Sequence, residues 1–241
     1  MKLNDFYGNT LNIFCDASTR RKGKILDACY GAIATVNNTE IDKIYRISSN
    51  STNNLAEIQA IKAGICLAIK YKDRYDSINL FSDSEISILG IRDRYFKWKV
   101  KYNKLYGTNS KLISNQDIFI ETMNLICDHN LMITFYHQKG HVSNNIKSIK
   151  EAEHVFMASN NIREKIDLNL IRYISYWNDK VDRESRSNLM NTNIYKLNIV
   201  RPVHFNVVNF YEQMNHYNNM QYIIKERMYY EKRNNESERN Q

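Results

Sequence analysis

Four acidic residues in this chain stand where folding would bring their carboxylates to one edge of a sheet. They are Asp16, Glu57, Asp83 and Asp182, and each stands at the end or the beginning of an apolar segment. A bare cluster of acids is costly, because like charges repel one another. Divalent cations remove that cost. Oxygen ligands without a His or Cys partner favour Mg²⁺, with Mn²⁺ as a substitute.

Each acid taken alone also has a structural explanation. Glu57 fits the far end of a capping box that begins at Asn54. Asp83 fits a helix N-terminus, where the helix dipole favours an anion. Asp182 fits an ion pair with Arg186, four residues further on. Asp16 fits a turn residue. The four acids together, in this order and on these segments, favour a metal site.

The elements that would position these acids follow from the hydrophobic pattern. Apolar or alternating segments predict five strands, at 10–17, 28–37, 40–48, 78–82 and 132–138. Amphipathic segments predict helices at 54–72, 115–130 and 176–189, with a helix-prone block at 144–175. The first three strands form an antiparallel meander, and the fourth lies parallel to an earlier strand through a right-handed crossover. We therefore expect an α/β fold with a five-stranded mixed sheet flanked by helices.

Several short motifs resemble the type 1 ribonuclease H family in its bacterial and phage-like form. They are NIFCDAS with Tyr30-Gly31-Ala32-Ile33, then STNNLAEIQAI, LFSDS, Gly140-His141 and NDKVDR. The combination is fairly specific, whereas any one motif alone is weak. The resemblance extends over residues 10–190 and implies an RNase H-like fold. It also implies an endonuclease that hydrolyses the RNA strand of an RNA–DNA hybrid by two-metal-ion catalysis.

The resemblance also implies roles for individual residues. It makes Asp16, Glu57, Asp83 and Asp182 the catalytic ligands of two Mg²⁺ ions. It places His141 on a loop, where it assists proton movement or product release. Ser18, Asn53 and Asn54 would contact the nucleic-acid strands near the scissile phosphate. Asn178 and Asp179 would support the last carboxylate.

The chain departs from the family pattern at three places. Ala17 stands where the family usually has Gly after the first Asp, and the hairpin 19–27 is basic instead of glycine-rich. About 40 residues separate His141 from Asp182, many more than in the family, so 144–175 is interpreted as a helical insertion. His141 is balanced between a catalytic role and that of an ordinary loop histidine, whereas His137, inside the last strand, is expected to be structural.

Residues 92–111 form a basic segment with interleaved aromatic side chains. The segment holds seven Lys or Arg residues and one Asp, and so carries most of the formal net charge of +8. Alternating cations and aromatic rings favour a surface that follows a phosphate backbone. In the family this region is a basic protrusion that grips the DNA strand. The candidate binding residues are Lys97, Trp98, Lys99 and Lys101.

Length and composition limit the remaining choices. A chain of 241 residues with 43% hydrophobic and 25% charged residues is an ordinary globular protein, which excludes collagen-like and wholly disordered chains. Four dispersed cysteines predict buried free thiols, and with no signal peptide we expect a cytoplasmic protein without membrane association.

We expect a catalytic domain at 1–190 and a helical C-terminal extension at 191–241. The predicted helix 203–233 is compatible with a packing arm or a dimerising coiled coil, and fewer than four clean heptads favour the packing arm. The sequence does not predict the oligomeric state. The extension remains a candidate protein-interaction element.

Two other functions compete with a ribonuclease H. The first is another nuclease on the same fold, such as a resolvase or an exonuclease. The exonucleases usually carry Asp-x-Glu on the first strand, where this chain has Asp16-Ala17-Ser18. The second is a non-catalytic module that binds nucleic acid, and the presence of all four acids counts against it.

Overall fold

The computed structural model describes residues 1–191 and 212–224 of the chain. Its strands are β1 Thr10–Lys22, β2 Ile25–Val36, β3 Thr39–Ser48, β4 Ser77–Ser82, β5 Lys99–Lys101, β6 Lys104–Tyr106 and β7 Ile133–His137. Its helices are α1 Asn53–Tyr71, α2 Glu85–Leu89, α3 Gln116–Asp128, α4 Ile146–Ser159, α5 Leu168–Asn191 and a further helix, α6, at 212–224.

The central sheet has five strands in the order β3-β2-β1-β4-β7. β1 pairs antiparallel with β2, and β2 with β3, whereas β4 is parallel to both β1 and β7. This arrangement confirms the predicted α/β fold with a mixed sheet. β5 and β6 form a separate two-stranded hairpin that the hydrophobic pattern did not predict.

Asp16 does not end the first strand, as the sequence had suggested. β1 continues through polar residues to Lys22, because β2 supplies hydrogen-bonding partners along this whole length as far as Ile25. Only the parallel pairing with β4 stops, at Cys15 opposite Ser82. Asp16 is therefore the first residue of β1 beyond the end of β4.

The sheet separates two hydrophobic cores. Alternation along β1 directs Ile13 and Cys15 into the core beneath α1 and α3, and Phe14 into the core beneath α4 and α5. On the first face, Gly64 lets α1 approach β1 closely, because a Cβ there would collide with the Cys15 sulfur. This close approach brings the start of α1 to the edge of the sheet where Asp16 lies.

The helical block 144–175 packs on the second face of the sheet. Aromatic rings stack in sequence from Phe14 through Phe81 and Tyr136 to Phe156 on α4, with centroid separations of 4.8, 5.1 and 5.6 Å. Stacked aromatic contacts of this kind add to the free energy gained from burial alone. α4 thus covers the sheet as an integral layer of the fold.

The predicted break between the 144–175 block and a helix at 176–189 is wrong. The chain leaves α4 after Ser159 and begins α5 at Leu168, which then continues unbroken to Asn191. No Gly or Pro interrupts this stretch, and its apolar residues keep a helical spacing. Asp182 consequently lies about four turns into a long helix.

The cysteines correspond only in part to the prediction. All four are free, and Cys15, Cys29 and Cys127 are buried, but Cys66 is exposed. Cys66 lies on the outer face of α1, next to a buried stripe that includes Ile61 and Ile65. Among the helices that the structure describes, none is both long enough and apolar enough to cross a membrane.

The predicted helix 203–233 is described only at 212–224, and its other residues lie outside the described part of the chain. Within α6, Tyr217 and Met220 are buried in the core on the α3 side. Tyr217 contacts Phe96 with ring centroids 5.3 Å apart, and the Gln213 amide donates a hydrogen bond to Asn124. The described part of this segment is therefore a packing arm on its own chain.

Candidate active site

Three carboxylates meet at the edge of the sheet where β1 and β4 separate. Asp16 is supplied by β1, Asp83 follows β4 directly, and Glu57 projects from the beginning of α1. One oxygen of each lies within 4.8 Å of the others, a spacing that allows them to hold a metal ion. Three of the four predicted ligands are therefore brought together by the fold.

Glu57 is not part of a helix cap. The α1 N-cap is Thr52, whose hydroxyl accepts a hydrogen bond from the Leu55 backbone at 3.1 Å. Among the residues that the structure describes, Glu57 Oε2 has no hydrogen-bond partner although it is buried, which a carboxylate rarely tolerates. Burial, followed by the charges of Asp83 and Asp182, raises the pKa of Glu57 to about 8. An orphaned acid beside two others is the environment that a bound cation would stabilise.

The other two carboxylates are similarly destabilised in their charged forms. Burial and the neighbouring acids raise the pKa of Asp16 well above its usual value. Burial also raises the pKa of Asp83, although a hydrogen bond from Asn178 opposes the shift. The Asn178 amide donates to Asp83 Oδ2 at 3.1 Å and accepts a hydrogen bond from Gln138 at 2.7 Å, which fixes its orientation.

Gly140 is in contact with the same carboxylate. A Cβ at this position would collide with Asp83 Oδ2, so only glycine lets the loop after β7 pass so close to Asp83. In the sequence, Gly140 stands out only as part of the Gly140-His141 motif. The signal that could have revealed its role is that a glycine directly precedes the candidate His141.

Asp182 lies beside the three acids, and its carboxylate is held by other groups. The Ser18 hydroxyl donates to Asp182 Oδ1 at 2.9 Å, and Arg186 forms an ion pair with both oxygens. Burial alone would raise the pKa of Asp182, but the hydrogen bonds from Arg186 and Ser18 hold it below its usual value. Asp182 therefore forms the ion pair with Arg186 four residues further on, and it also lies close to the other acids.

The candidate histidine is close to this fourth acid. His141 Nδ1 lies 3.7 Å from Asp182 Oδ2, and the His141 side chain is 76% exposed. His141 has a φ of 51°, in the left-handed region that a non-glycine residue seldom adopts. His137, by contrast, is buried at the end of β7, and burial lowers its pKa. The structure thus matches the expectation that His137 is structural.

The predicted nucleic-acid contacts near the acids fall into two groups. Ser18 is buried and bound to Asp182, so in this structure its hydroxyl positions a candidate ligand. Asn53 and Asn54 are exposed at the start of α1, and Asn53 accepts a hydrogen bond from the Thr19 hydroxyl at 2.8 Å. Asn53 and Asn54 are thus accessible to a ligand lying over this edge of the sheet.

The basic segment presents its candidate lysines on the small hairpin and directly before it. Lys97, Lys99 and Lys101 are all exposed. The hairpin turns at Tyr102 and Asn103, which both have positive φ, as a type I′ turn requires. Tyr102 is 92% exposed at the tip. In the sequence, Tyr102 is one of several aromatic residues in the segment 92–111, and the signal for its exposure is its position in a two-residue turn between lysine-bearing strands.

Trp98 is shared between the core and the surface. Its ring meets those of Tyr95 and Phe119 at centroid distances of 5.6 and 5.1 Å. It also lines a cavity of about 280 Å³ together with Asn54 and Lys111. The basic segment and the start of α1 therefore border one continuous groove.

Arg92 does not belong to the basic surface to which the sequence analysis had assigned it. Its guanidinium donates to the Ser159 carbonyl at 2.7 Å and to Asn160 Oδ1 at 2.7 Å, and it also pairs with Asp93. Arg92 therefore ties the turn after α2 to the end of α4. Charge counts along the sequence do not distinguish a half-buried anchor of this kind from an exposed cation.

A five-stranded sheet of this order, with acids where β1 and β4 diverge, has the RNase H fold. The family model for RNase H matches residues 8–157. This match covers more than half of the chain, so the chain belongs to the RNase H family. Asp182 lies beyond the matched residues. No curated protein sequence matches the chain significantly.

Solved structures are similar at low identity. The solution structure of the PFV RNase H domain is 16% identical with a TM-score of 0.45, over 65% of this chain and 96% of that one. LC11-RNase H1 in complex with an RNA/DNA hybrid is 16% identical with a TM-score of 0.40, over 54% and 85%. The N-terminal RNase H domain of rv2228c from Mycobacterium tuberculosis is 20% identical with a TM-score of 0.38, over 52% and 84%.

Proposed function

We propose that this protein is a Mg²⁺-dependent endonuclease that hydrolyses the RNA strand of RNA–DNA hybrids. The observation that carries the proposal is the cluster of Asp16, Glu57 and Asp83, in which a buried Glu57 oxygen finds no hydrogen-bond partner within residues 1–191 and 212–224. An all-oxygen ligand set suits Mg²⁺ or Mn²⁺. Membership of the RNase H family and the hybrid bound to LC11-RNase H1 support the substrate class.

The donor set fits the two cations of the proposed mechanism. Asp16, Glu57 and Asp83 would hold them, joined by Asp182. Bound divalent cations supply an activated water and Lewis acidity toward the phosphate and the leaving oxygen. The chain itself orients the ligands: Asn178 holds Asp83 at 3.1 Å, and Ser18 holds Asp182 at 2.9 Å.

Substrate selection would depend on groups outside the carboxylates. Sequence-independent recognition of RNA in a hybrid uses 2′-hydroxyls in a shallow minor groove, which suits the short polar side chains of Asn53 and Asn54. The exposed lysines Lys97, Lys99 and Lys101 would follow the phosphates of the other strand. Tyr102 at the hairpin tip and Trp98 in the adjoining groove offer ring faces beside these charges.

The proposal is tested with end-labelled duplexes of one sequence, prepared as hybrid, DNA and RNA. The full chain with MgCl₂ is expected to produce internal cuts in the RNA strand of the hybrid alone, and EDTA is expected to stop the reaction. Cutting of the DNA duplex as well would favour a resolvase-like nuclease. Binding of the hybrid without cleavage in Mg²⁺ or Mn²⁺ would contradict the enzymatic function.

The His141→Ala variant separates a catalytic role of His141 from that of an ordinary loop residue. Because His141 lies 3.7 Å from Asp182 and is exposed to substrate, we expect kcat to fall about 10²-fold with little change in KM. The loss should also alter the pH profile of kcat. His154→Ala, on α4 away from the carboxylates, is the matched control and should leave both parameters unchanged. A His141→Ala variant with wild-type kcat would exclude the catalytic role.

A further inference from the structure

The first five turns of α5 bring a second line of polar side chains to the active site. α5 begins at Leu168, well before Asp182. Residues on its outer face recur at steps of four and three, which places them in one stripe along the helix. These residues are Arg172, Tyr176, Asp179, Arg183 and Arg186.

This stripe forms one wall of a groove. The loop of residues 141–144 forms the opposite wall, and the space between them has a volume of about 500 Å³. Asp182 and His141 both line the groove, so it opens directly from the candidate active site. A strand held at the carboxylates therefore has a path along α5.

Two of the arginines in this groove are available to an anionic ligand. Arg172 donates a long 3.3 Å hydrogen bond to the neutral Asn169 side chain, and Arg183 donates to the Asp179 backbone carbonyl. Within the described part of the chain, neither forms an ion pair with a carboxylate. Both are exposed. Arg186 differs because it is paired with Asp182.

The groove has the length and composition of a strand-binding surface. Arg172 and Arg183 are 11 residues apart, so they are separated by about 16 Å along the helix. A duplex strand carries one phosphate per about 3.4 Å of axis, so this distance covers roughly five phosphates. Tyr176, 53% exposed between the two arginines, adds a ring face of the kind that accompanies cations in nucleic-acid grooves.

We propose that this α5 groove, lined by Arg172, Tyr176 and Arg183, binds backbone phosphates of the substrate duplex beyond the catalytic carboxylates. The proposal rests on the proposed function for the identity of the duplex. It adds a second contact surface on the side of the carboxylates formed by α5 and the loop after β7. Simultaneous contact at the lysine hairpin and at α5 would favour long duplexes over short ones.

The test measures binding and cleavage separately. The dissociation constant of a fluorescein-labelled 24-base-pair hybrid is measured by anisotropy in EDTA for the full chain and for Arg172→Gln/Arg183→Gln. Loss of two phosphate contacts is expected to weaken binding about tenfold near 0.1 M salt and to reduce the slope of log Kd against log salt by about 1.8. Arg172→Lys/Arg183→Lys keeps both charges and should bind nearly as the wild type does.

Lys72→Gln/Arg74→Gln is the matched control, because it removes two charges between α1 and β4, at the opposite end of the parallel strands. If the groove variant binds as tightly as this control, the proposal is overturned. Cleavage in MgCl₂ is scored in parallel. A wild-type chain that binds hybrid through Arg172 and Arg183 but cleaves nothing would disprove the proposed function and retain the groove.

Discussion

The Asp16→Asn and Asp83→Asn variants are each expected to lose at least about 10³-fold in the rate of hybrid hydrolysis while keeping the wild-type fold. Each substitution keeps the side-chain shape and removes one negative charge from a group whose oxygens lie within 4.8 Å of the other two acids. The loss should fall on kcat, because these carboxylates would act on the reacting phosphate and the binding surfaces lie elsewhere.

The fold should survive because burial already disfavours the charged forms. Burial raises the pKa of Asp16 and that of Asp83, so an uncharged amide avoids the desolvation that opposes their charged forms. Each amide also keeps one oxygen that can accept the present hydrogen bond, from Asn178 at Asp83 and from the Ala17 backbone at Asp16. We therefore expect both variants to fold as the wild type does.

Asp73→Asn provides the control for these substitutions. Asp73 is exposed in the loop between α1 and β4, at the end of the sheet opposite the carboxylates. It should keep full activity. Steady-state cleavage rates and circular dichroism are measured for all three variants. Either active-site variant retaining more than about a tenth of wild-type kcat would contradict a role for that acid in catalysis.

The sequence predicts the sheet well where its strands are buried. β4 and β7 are largely apolar segments that pair in parallel, β4 between β1 and β7 and β7 at the edge of the sheet, and the hydrophobic pattern detects both directly. The end of β1 is harder to predict, since residues after Asp16 are polar and are held in the strand by pairing with β2. Hydrophobicity reports burial, and the outer half of this hairpin is extended without being fully buried.

The candidate site shows a similar division. Positions at strand ends and helix starts predict that Asp16, Glu57 and Asp83 converge, because the topology of the sheet determines it. The partners of Asp182 are less predictable. Its pairing with Arg186 is local and was one of the alternatives, whereas the bond from Ser18 joins residues 164 positions apart. Long-range contacts of this kind, like those of Arg92, have no signature in local spacing.

Metal-free protein is expected to lose stability as the pH rises from about 4.5 to about 8, because the folded-state pKa of Glu57 is raised to about 8 from a usual value of 4.5. Below the unfolded-state pKa, Glu57 is protonated in both states, and the fold keeps its full stability. As the pH rises from the unfolded-state pKa to the folded-state pKa, the unfolded chain releases the proton first, so the free energy of unfolding falls. A shift of this size corresponds to at most about 5 kcal/mol in the free energy of unfolding.

Divalent cations should reverse this loss, because they bind the ionised carboxylates and stabilise the folded state in proportion to their concentration. In thermal unfolding, MgCl₂ should therefore raise Tm more at pH 8 than at pH 5. Glu57→Gln removes the titrating group and one ligand, so this variant should be more stable than wild type in EDTA at pH 8 and should gain less from MgCl₂. The control is Glu85→Gln, because Glu85 is exposed on α2, close to Asp83 yet outside the three-acid cluster. Gln59→Glu would not serve as a control, because Gln59 is buried. If wild type and Glu57→Gln lose stability equally between pH 5 and pH 8 in EDTA, ionisation of Glu57 does not destabilise the fold. The unpaired Glu57 oxygen would then no longer support a bound cation beside it.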